Sequence, residues 1–169
     1  MADVNVLVVF YSRFGGAERL ALAAGLGAIH TKANIRLRRV ADHADAKTIA
    51  SNPAWQHNVD RMNMDYVAPR PADPAWADVI VLATPSDSIA ELESYVDSLR
   101  SLGSMSGKIA APLTPGSSQD VLKAIYAAAA CAGLIVAPSP AASNDEITSA
   151  RSYGQQVSMM ARALKERAT

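Results

Sequence analysis

Between a hydrophobic run and a helical one the chain reads YSRFGGAERLA, Tyr11 to Ala21, which places two hydroxyls, two adjacent glycines and an arginine in a single turn. The first backbone N–H groups of a helix have no intrahelical acceptor and lie at the positive end of its dipole, so a turn of this kind favours a phosphate. Gly15 and Gly16 let the backbone approach such a group with no Cβ in the way. Ser12 can donate a hydroxyl hydrogen bond, and Arg13 can offset part of a dianionic charge. The same residues also suit an ordinary strand-to-helix turn, in which Ser12 caps the helix and the glycines only permit the bend. The turn has neither GxGxxG nor the GKS or GKT of a P-loop.

Two further stretches share this chemistry. Thr84-Pro85-Ser86-Asp87-Ser88 follows the apolar run DVIVLA, and Thr114-Pro115-Gly116-Ser117-Ser118 follows Lys108–Leu113. The elements that must position them alternate in kind. Val4–Phe10, Asp78–Ala83 and Lys108–Leu113 are short apolar runs, the pattern of strands covered on both faces. Asn34–Val40 alternates Ile35 and Leu37 with basic residues, which suits a strand near a sheet edge, and Leu134–Ala137 is a short fifth run. Helical spacing is carried by Leu20, Ala23, Ala24 and Gly27, by Ile89, Leu92, Val96, Leu99 and Leu102, by Val121–Ala132, and by Ile147 through Leu164.

Strands alternating with helices imply parallel strands joined by right-handed crossovers, with helices on both faces of one sheet. The three hydroxyl-rich loops then share the carboxyl edge, where open parallel sheets bind ligands. Ala41–Ala77 is too long for a simple crossover and holds Pro53, Pro69, Pro71 and Pro74. It is expected to be a partly helical excursion that covers a site or an interface.

A chain of 169 residues, half of them hydrophobic, supports a single domain over 1–169. Sixteen basic residues balance sixteen acidic ones, so no global field draws it to nucleic acid or a membrane. The one cysteine, Cys131, makes no intramolecular disulfide and gives no metal spacing; it reads as a small core residue in a reducing, cytoplasmic setting. His30, His43 and His57 read as surface groups, Met62 and Met64 as core or interface fillers, and Glu146 as a group that orients the last helix.

YSRFGGAERLA resembles the phosphate loop of the flavodoxin-like NAD(P)H:quinone oxidoreductases of the WrbA type, with Tyr11, Ser12, Phe14, Gly15, Glu18 and Ala21 matching the family pattern. ADVIVLATPS (Ala77–Ser86), GKIAAPLTPGSSQ (Gly107–Gln119) and DEITSARSYGQQVS (Asp145–Ser158) are similar to three further family segments in the same order. The resemblance implies a three-layer flavodoxin-like sandwich with a five-stranded parallel sheet in the order 2-1-3-4-5. It also implies noncovalent FMN, NADH or NADPH as co-substrate, two-electron reduction of a quinone-like acceptor, and a homodimer or homotetramer. Ser12, Arg13, Phe14, Gly15, Gly16 and Ala17 would hold the phosphate. Thr84, Pro85, Ser86 and Asp87 would line the flavin ring, and Thr114, Pro115, Gly116, Ser117 and Ser118 the ribityl and pyrimidine side. No catalytic side chain and no metal are implied.

The chain departs from that family at three places. Ser86-Asp87-Ser88-Ile89-Ala90 stands where the family carries Thr-Arg-aromatic-Gly-Asn, so a stacking aromatic is lost and an acid replaces an arginine. Cys131-Ala132-Gly133 replaces His-His-Gly, and the segment after Pro140 is short. The phosphate grip is kept while the ring grip is weakened, unless Trp55, Tyr66 or Trp76 of the excursion replaces the lost aromatic. The alternative is a flavodoxin-like protein that has weakened or lost FMN and serves as an interaction or regulatory module. A one-electron carrier fits least, since it would call for a strongly acidic surface and this chain is neutral.

Overall fold

The computed structural model describes residues 1–168. Five parallel strands, β1 (Asn5–Phe10), β2 (Asn34–Arg39), β3 (Val79–Ala83), β4 (Ile109–Leu113) and β5 (Ile135–Val136), form one sheet in the order β2-β1-β3-β4-β5. The connections carry α1 (Gly16–His30), α2 (Ala46–Ala50), α3 (Pro53–Asp65), α4 (Asp73–Trp76), α5 (Ala90–Ser98), α6 (Gln119–Cys131) and α7 (Glu146–Ala168). This is the expected flavodoxin-like sandwich. The strand order reverses between β1 and β3, which puts the crevice for a ligand at their carboxyl ends.

Period-two alternation sorts the strand side chains into two cores. Val6, Val8 and Phe10, with Val79, Val81 and Ala83, face α1 and α7. Leu7 and Val9, with Ile80 and Leu82, face α5 and α6. Both sets are fully buried, which is why these strands read as unbroken apolar runs.

β2 is the edge strand that its alternation suggested, and the excursion covers it. Arg39 N–H donates to the Val67 carbonyl at 3.0 Å, returning the chain alongside β2. Asp73, 1% exposed, accepts from Arg36, from Arg38 at 2.6 and 3.0 Å, and from the Arg70 N–H at 2.8 Å. Desolvation pushes the Asp73 carboxyl up, but these donors hold it below the usual carboxylate range. The excursion is helical over α2, α3 and α4, with a small core of its own from Ile49, Trp55 and Val59.

A proline within β4 is explained by register. Pro112 pairs with Leu82 of β3, while the ladder with β5 stops at Ala110–Val136 and one further bond from Ala137 N–H to the Ala110 carbonyl. In a parallel strand alternate residues address alternate neighbours, so the missing N–H of Pro112 falls on the β5 side, beyond that ladder.

One expectation fails locally. Cys131 ends α6 and is exposed rather than in the core, because the apolar face of that helix is carried by Val121, Leu122, Ile125, Ala128 and Ala129. Met62 is fully buried, whereas Met64 is 81% exposed.

α1 and α7 pack in close contact at two glycines. A Cβ on Gly27 would lie 1.9 Å from the Arg151 carbonyl oxygen, and one on Gly154 would lie 2.0 Å from that of Ala24. The two helices therefore meet backbone to backbone. Gly154→Ala gains helix propensity of about 1 kcal/mol, but the overlap is expected to destabilise by roughly 1–3 kcal/mol net. Gly25→Ala is the control, since its Cβ would meet Ile35 only at 3.7 Å. Thermal unfolding of the three proteins checks this: Gly154→Ala and Gly27→Ala lower Tm by several degrees, and Gly25→Ala leaves it unchanged or higher.

Candidate functional site

The first loop starts where β1 ends. Tyr11 N–H still donates to the Ala83 carbonyl at 2.9 Å, so the extended chain is held against β3 for one more residue. Ser12 is fully buried, and its Oγ accepts from the Gly15 N–H at 3.0 Å. That bond folds the chain back, and Gly15 completes the reversal at φ +92°, a left-handed conformation that favours glycine. α1 then begins at Gly16. Among the described residues, the N–H groups of Phe14, Gly16, Ala17 and Glu18 have no hydrogen-bond acceptor. These unpaired donors converge at the amino end of a 15-residue helix.

Glu18 anchors this turn from below. It is 5% exposed, and Arg61 of α3 holds both its oxygens at 2.8 and 2.6 Å while the Tyr66 hydroxyl donates at 2.6 Å. The Arg61 hydrogen bonds hold its carboxyl below the usual range; burial opposes them and Tyr66 adds to them. Tyr66 itself packs edge-on against Phe10, with ring centres 4.9 Å apart.

The third loop lies beside the first. The Pro115 ring comes within 3.5 Å of where a Gly16 Cβ would sit. Ser117 holds φ +49°, unusual for a residue with a side chain, and its hydroxyl donates to the Pro140 carbonyl at 3.2 Å. The Gly116 N–H donates to the Glu146 carboxylate from the first turn of α7. Thr114 is 4% exposed, and its Oγ1 is buried with no partner among the described residues.

The second loop is closed on itself. Thr84 Oγ1 donates to the Ser88 carbonyl at 2.6 Å, and Ser88 Oγ donates to Glu91 at 2.9 Å. Pro85 is half-buried, while Ser86 and Asp87 are exposed.

Between the first and second loops lies a network that no linear motif announced. The Asp42 carboxylate accepts from the Tyr11 hydroxyl at 3.1 Å, from the Trp55 indole N–H at 2.8 Å, and from Arg39. Burial pushes the Tyr11 phenol well above its ordinary range, against the effect of the Arg13 hydrogen bond, so it stays protonated. Arg13 Nε donates to the Tyr11 oxygen and Arg13 Nη2 to Ser88 Oγ, both at 3.1 Å. Its guanidinium carbon lies 4.8 Å from the centre of the Trp55 ring.

The sequence-derived site residues thus separate by role. Gly15, Gly16 and Ala17 form the candidate anion cradle, and Phe14 contributes an N–H while its ring is 56% exposed. Ser12 is buried and shapes the turn from within, its oxygen accepting from the Gly15 N–H. Arg13 turns to the second loop instead of the cradle. Thr114, Pro115, Gly116, Ser117 and Ser118 form the neighbouring loop, and Thr84, Pro85, Ser86 and Asp87 the second. Of the three excursion aromatics, Trp55 alone reaches Arg13; Tyr66 packs on Phe10, and Trp76 stacks under Arg36 at 4.1 Å. Asp42, Glu91 and Glu146 join the site without any signal of spacing in the sequence.

The phosphate half of an FMN molecule fits these residues: unpaired N–H donors stand behind a left-handed glycine, and the neighbouring loop holds an orphaned threonine hydroxyl. The ring half is less well provided, since the second loop brings no aromatic and its Thr84 proton is used internally. Among the described residues, no group of three His, Cys, Asp or Glu side chains is placed to hold a metal, and no helix is long and apolar enough to cross a membrane.

No protein-family model matches the chain. It is similar to a curated NAD(P)H dehydrogenase (quinone) of Deinococcus radiodurans, with 29% identity over 149 residues, covering 81% of this chain and 74% of that one. Among solved structures it is similar in fold to a diflavin flavoprotein A3 from Nostoc sp. (TM-score 0.65, 13% identity, all of both chains covered). It is likewise similar in fold to a flavodoxin from the domain Archaea (TM-score 0.64, 15% identity, 94% of this chain and 99% of that one). These likenesses agree with the flavodoxin-like sheet order and with the resemblance carried by the first loop.

A pH dependence follows from Glu18. Its carboxyl is depressed in the folded state, so its stabilisation is complete above the unfolded value near 4.3 and is lost as pH falls through the lower folded value. Urea midpoints between pH 7 and pH 3 are expected to fall in the native sequence. In Glu18→Gln the midpoint at pH 7 is already lower, and its decline on acidification is shallower.

Proposed function

We propose that the chain binds FMN, phosphate in the first loop, and uses it as an oxidoreductase that passes two electrons from NADH or NADPH to a quinone-like acceptor. The observation that carries this reading is the set of unpaired N–H groups at Phe14, Gly16, Ala17 and Glu18, behind a left-handed Gly15 at the strand-order switch point. The similarity to a quinone dehydrogenase supports the reaction class.

Bound FMN would supply the redox chemistry, accepting and returning a hydride at its ring. The chain's own residues then have three tasks. Backbone donors of the first loop hold the phosphate without needing a cationic side chain. Thr114, with its unpartnered hydroxyl, and the Gly116–Ser118 turn border the adjoining polar part of the ligand. Thr84 to Asp87 border the ring, and the closed turn formed by the Thr84–Ser88 bond keeps that border fixed.

A second reading is favoured by the second loop, which offers no aromatic face: a fold kept for interaction or regulation, with FMN bound weakly or not at all. One measurement separates the two. Charge-assisted hydrogen bonds contribute roughly 1.5–3 kcal/mol each, and a tenfold affinity ratio needs only about 1.4 kcal/mol. Calorimetry is therefore expected to show FMN binding at least tenfold more tightly than riboflavin. Gly15→Val should abolish the preference, because a β-branched residue resists φ +92° and crowds the cradle. Equal affinity for the two flavins in the native sequence would reduce the loop to a turn and remove the oxidoreductase reading.

A further inference from the structure

We propose that Arg13 is not a phosphate ligand but the cation that serves the ring side of the site, delivered from the first loop to the second. The proposal rests on the FMN reading above and adds to it a positioning and charge-setting residue.

The geometry of the arginine separates it from the other guanidiniums at this edge of the sheet. Arg39 is committed to Asp42, and Arg61 to Glu18. Arg13 makes no ion pair among the described residues. It donates to two neutral hydroxyl oxygens, those of Tyr11 and Ser88, and lies over the face of Trp55. A guanidinium has five N–H donors; those on Nη1 have no partner among the described residues. The positive charge is therefore held in position but not neutralised.

Every contact that holds it is itself fixed. Tyr11 donates onward to Asp42, and Asp42 also receives the Trp55 indole N–H, so the acceptor below the guanidinium and the ring beneath it share one carboxylate. Ser88 donates to Glu91, a residue 4% exposed in the first turn of α5, which leaves the serine oxygen free to accept from Arg13. The charges that act on Arg13 at longer range are Asp87 and Glu91, both on the second-loop side. An exposed acid thus stands beside a tethered cation, and a ring that gains negative charge on reduction would meet both. The more rigidly held of the two is expected to dominate, because Asp87 has no tether among the described residues while Arg13 has three.

The test uses the full chain with FMN bound and measures the midpoint potential together with the affinities for FMN and riboflavin. Arg13→Gln is expected to keep the preference for FMN over riboflavin. It should weaken the hold on the reduced ring about tenfold relative to the oxidised one, a fall of about 30 mV for a two-electron couple. Arg13→Lys keeps the charge and should recover at least half of that fall. Ser88→Ala removes one tether but no charge, and should shift the potential in the same direction by less. An unmoved potential in Arg13→Gln, or a lost FMN preference in that variant, overturns the proposal and returns Arg13 to the phosphate. Should Arg13→Gln fail to fold, an unmoved potential in Ser88→Ala overturns it equally. A native chain that shows no preference for FMN removes the cofactor reading and this inference with it; an unmoved potential in a chain that prefers FMN removes this inference alone.

Discussion

The glycine crossing of α1 and α7 is the constraint from which the site's geometry follows. Gly27 and Gly154 let each helix backbone touch a carbonyl of the other, so the two helices have almost no freedom to slide or separate. α1 carries the unpaired donors at its amino end, and α7 carries Glu146 at its own. Fixing one helix on the other therefore fixes the first loop against the third, where Glu146 holds the Gly116 N–H. A larger residue at either glycine would act at a distance on the cradle, through the tilt of α1.

A second set of constraints comes from the excursion. Its charged groups reach back into the sheet edge: Arg61 to Glu18, Asp42 to Arg39 and Tyr11, Asp73 to Arg36 and Arg38. Arg39 and Asp42 are both buried, and removing either leaves the other desolvated and unpaired, which is far more destabilising than the pair is stabilising. The arrangement thus makes the first loop sensitive to residues more than 25 positions away in sequence. It also explains why the aromatic that reaches the site is Trp55: its indole N–H has Asp42 as partner, and its face has Arg13.

The parallel sheet was legible because it rests on local rules, whereas its order, 2-1-3-4-5, was implied by the family resemblance. Buried strands such as Val79–Ala83 are apolar at every position, the edge strand alternates, and parallel connections have one hand. The turn that carries the candidate cradle was legible for the same reason, since glycine at a strand-to-helix turn is a local signal. The direction of Arg13 was not. It depends on Ser88 and Trp55, which lie 75 and about 40 positions further along and come together only when the chain folds. The Ser12 oxygen accepts from the Gly15 N–H inside its own turn, an acceptor role that sequence does not distinguish from a donor role toward a ligand. Cys131 followed an alanine-rich helix into exposure, because helical periodicity places a face but not the last residue of the helix.

The electrostatics of the carboxyl edge follow from these placements. Carboxylates surround the site at Glu18, Asp42, Glu91 and Glu146, yet Glu18 and Asp42 are matched by an arginine within hydrogen-bond distance. Glu146 is occupied by a backbone donor and Glu91 by a serine hydroxyl. With its nearest acids so engaged, the cradle can receive an anion through backbone N–H groups and the helix dipole alone. Backbone N–H donors do not titrate and lose no side-chain entropy when a ligand arrives. Arg13, which makes no ion pair among the described residues, is turned toward the second loop, so the first-loop N–H groups and this guanidinium are separate sources of positive potential.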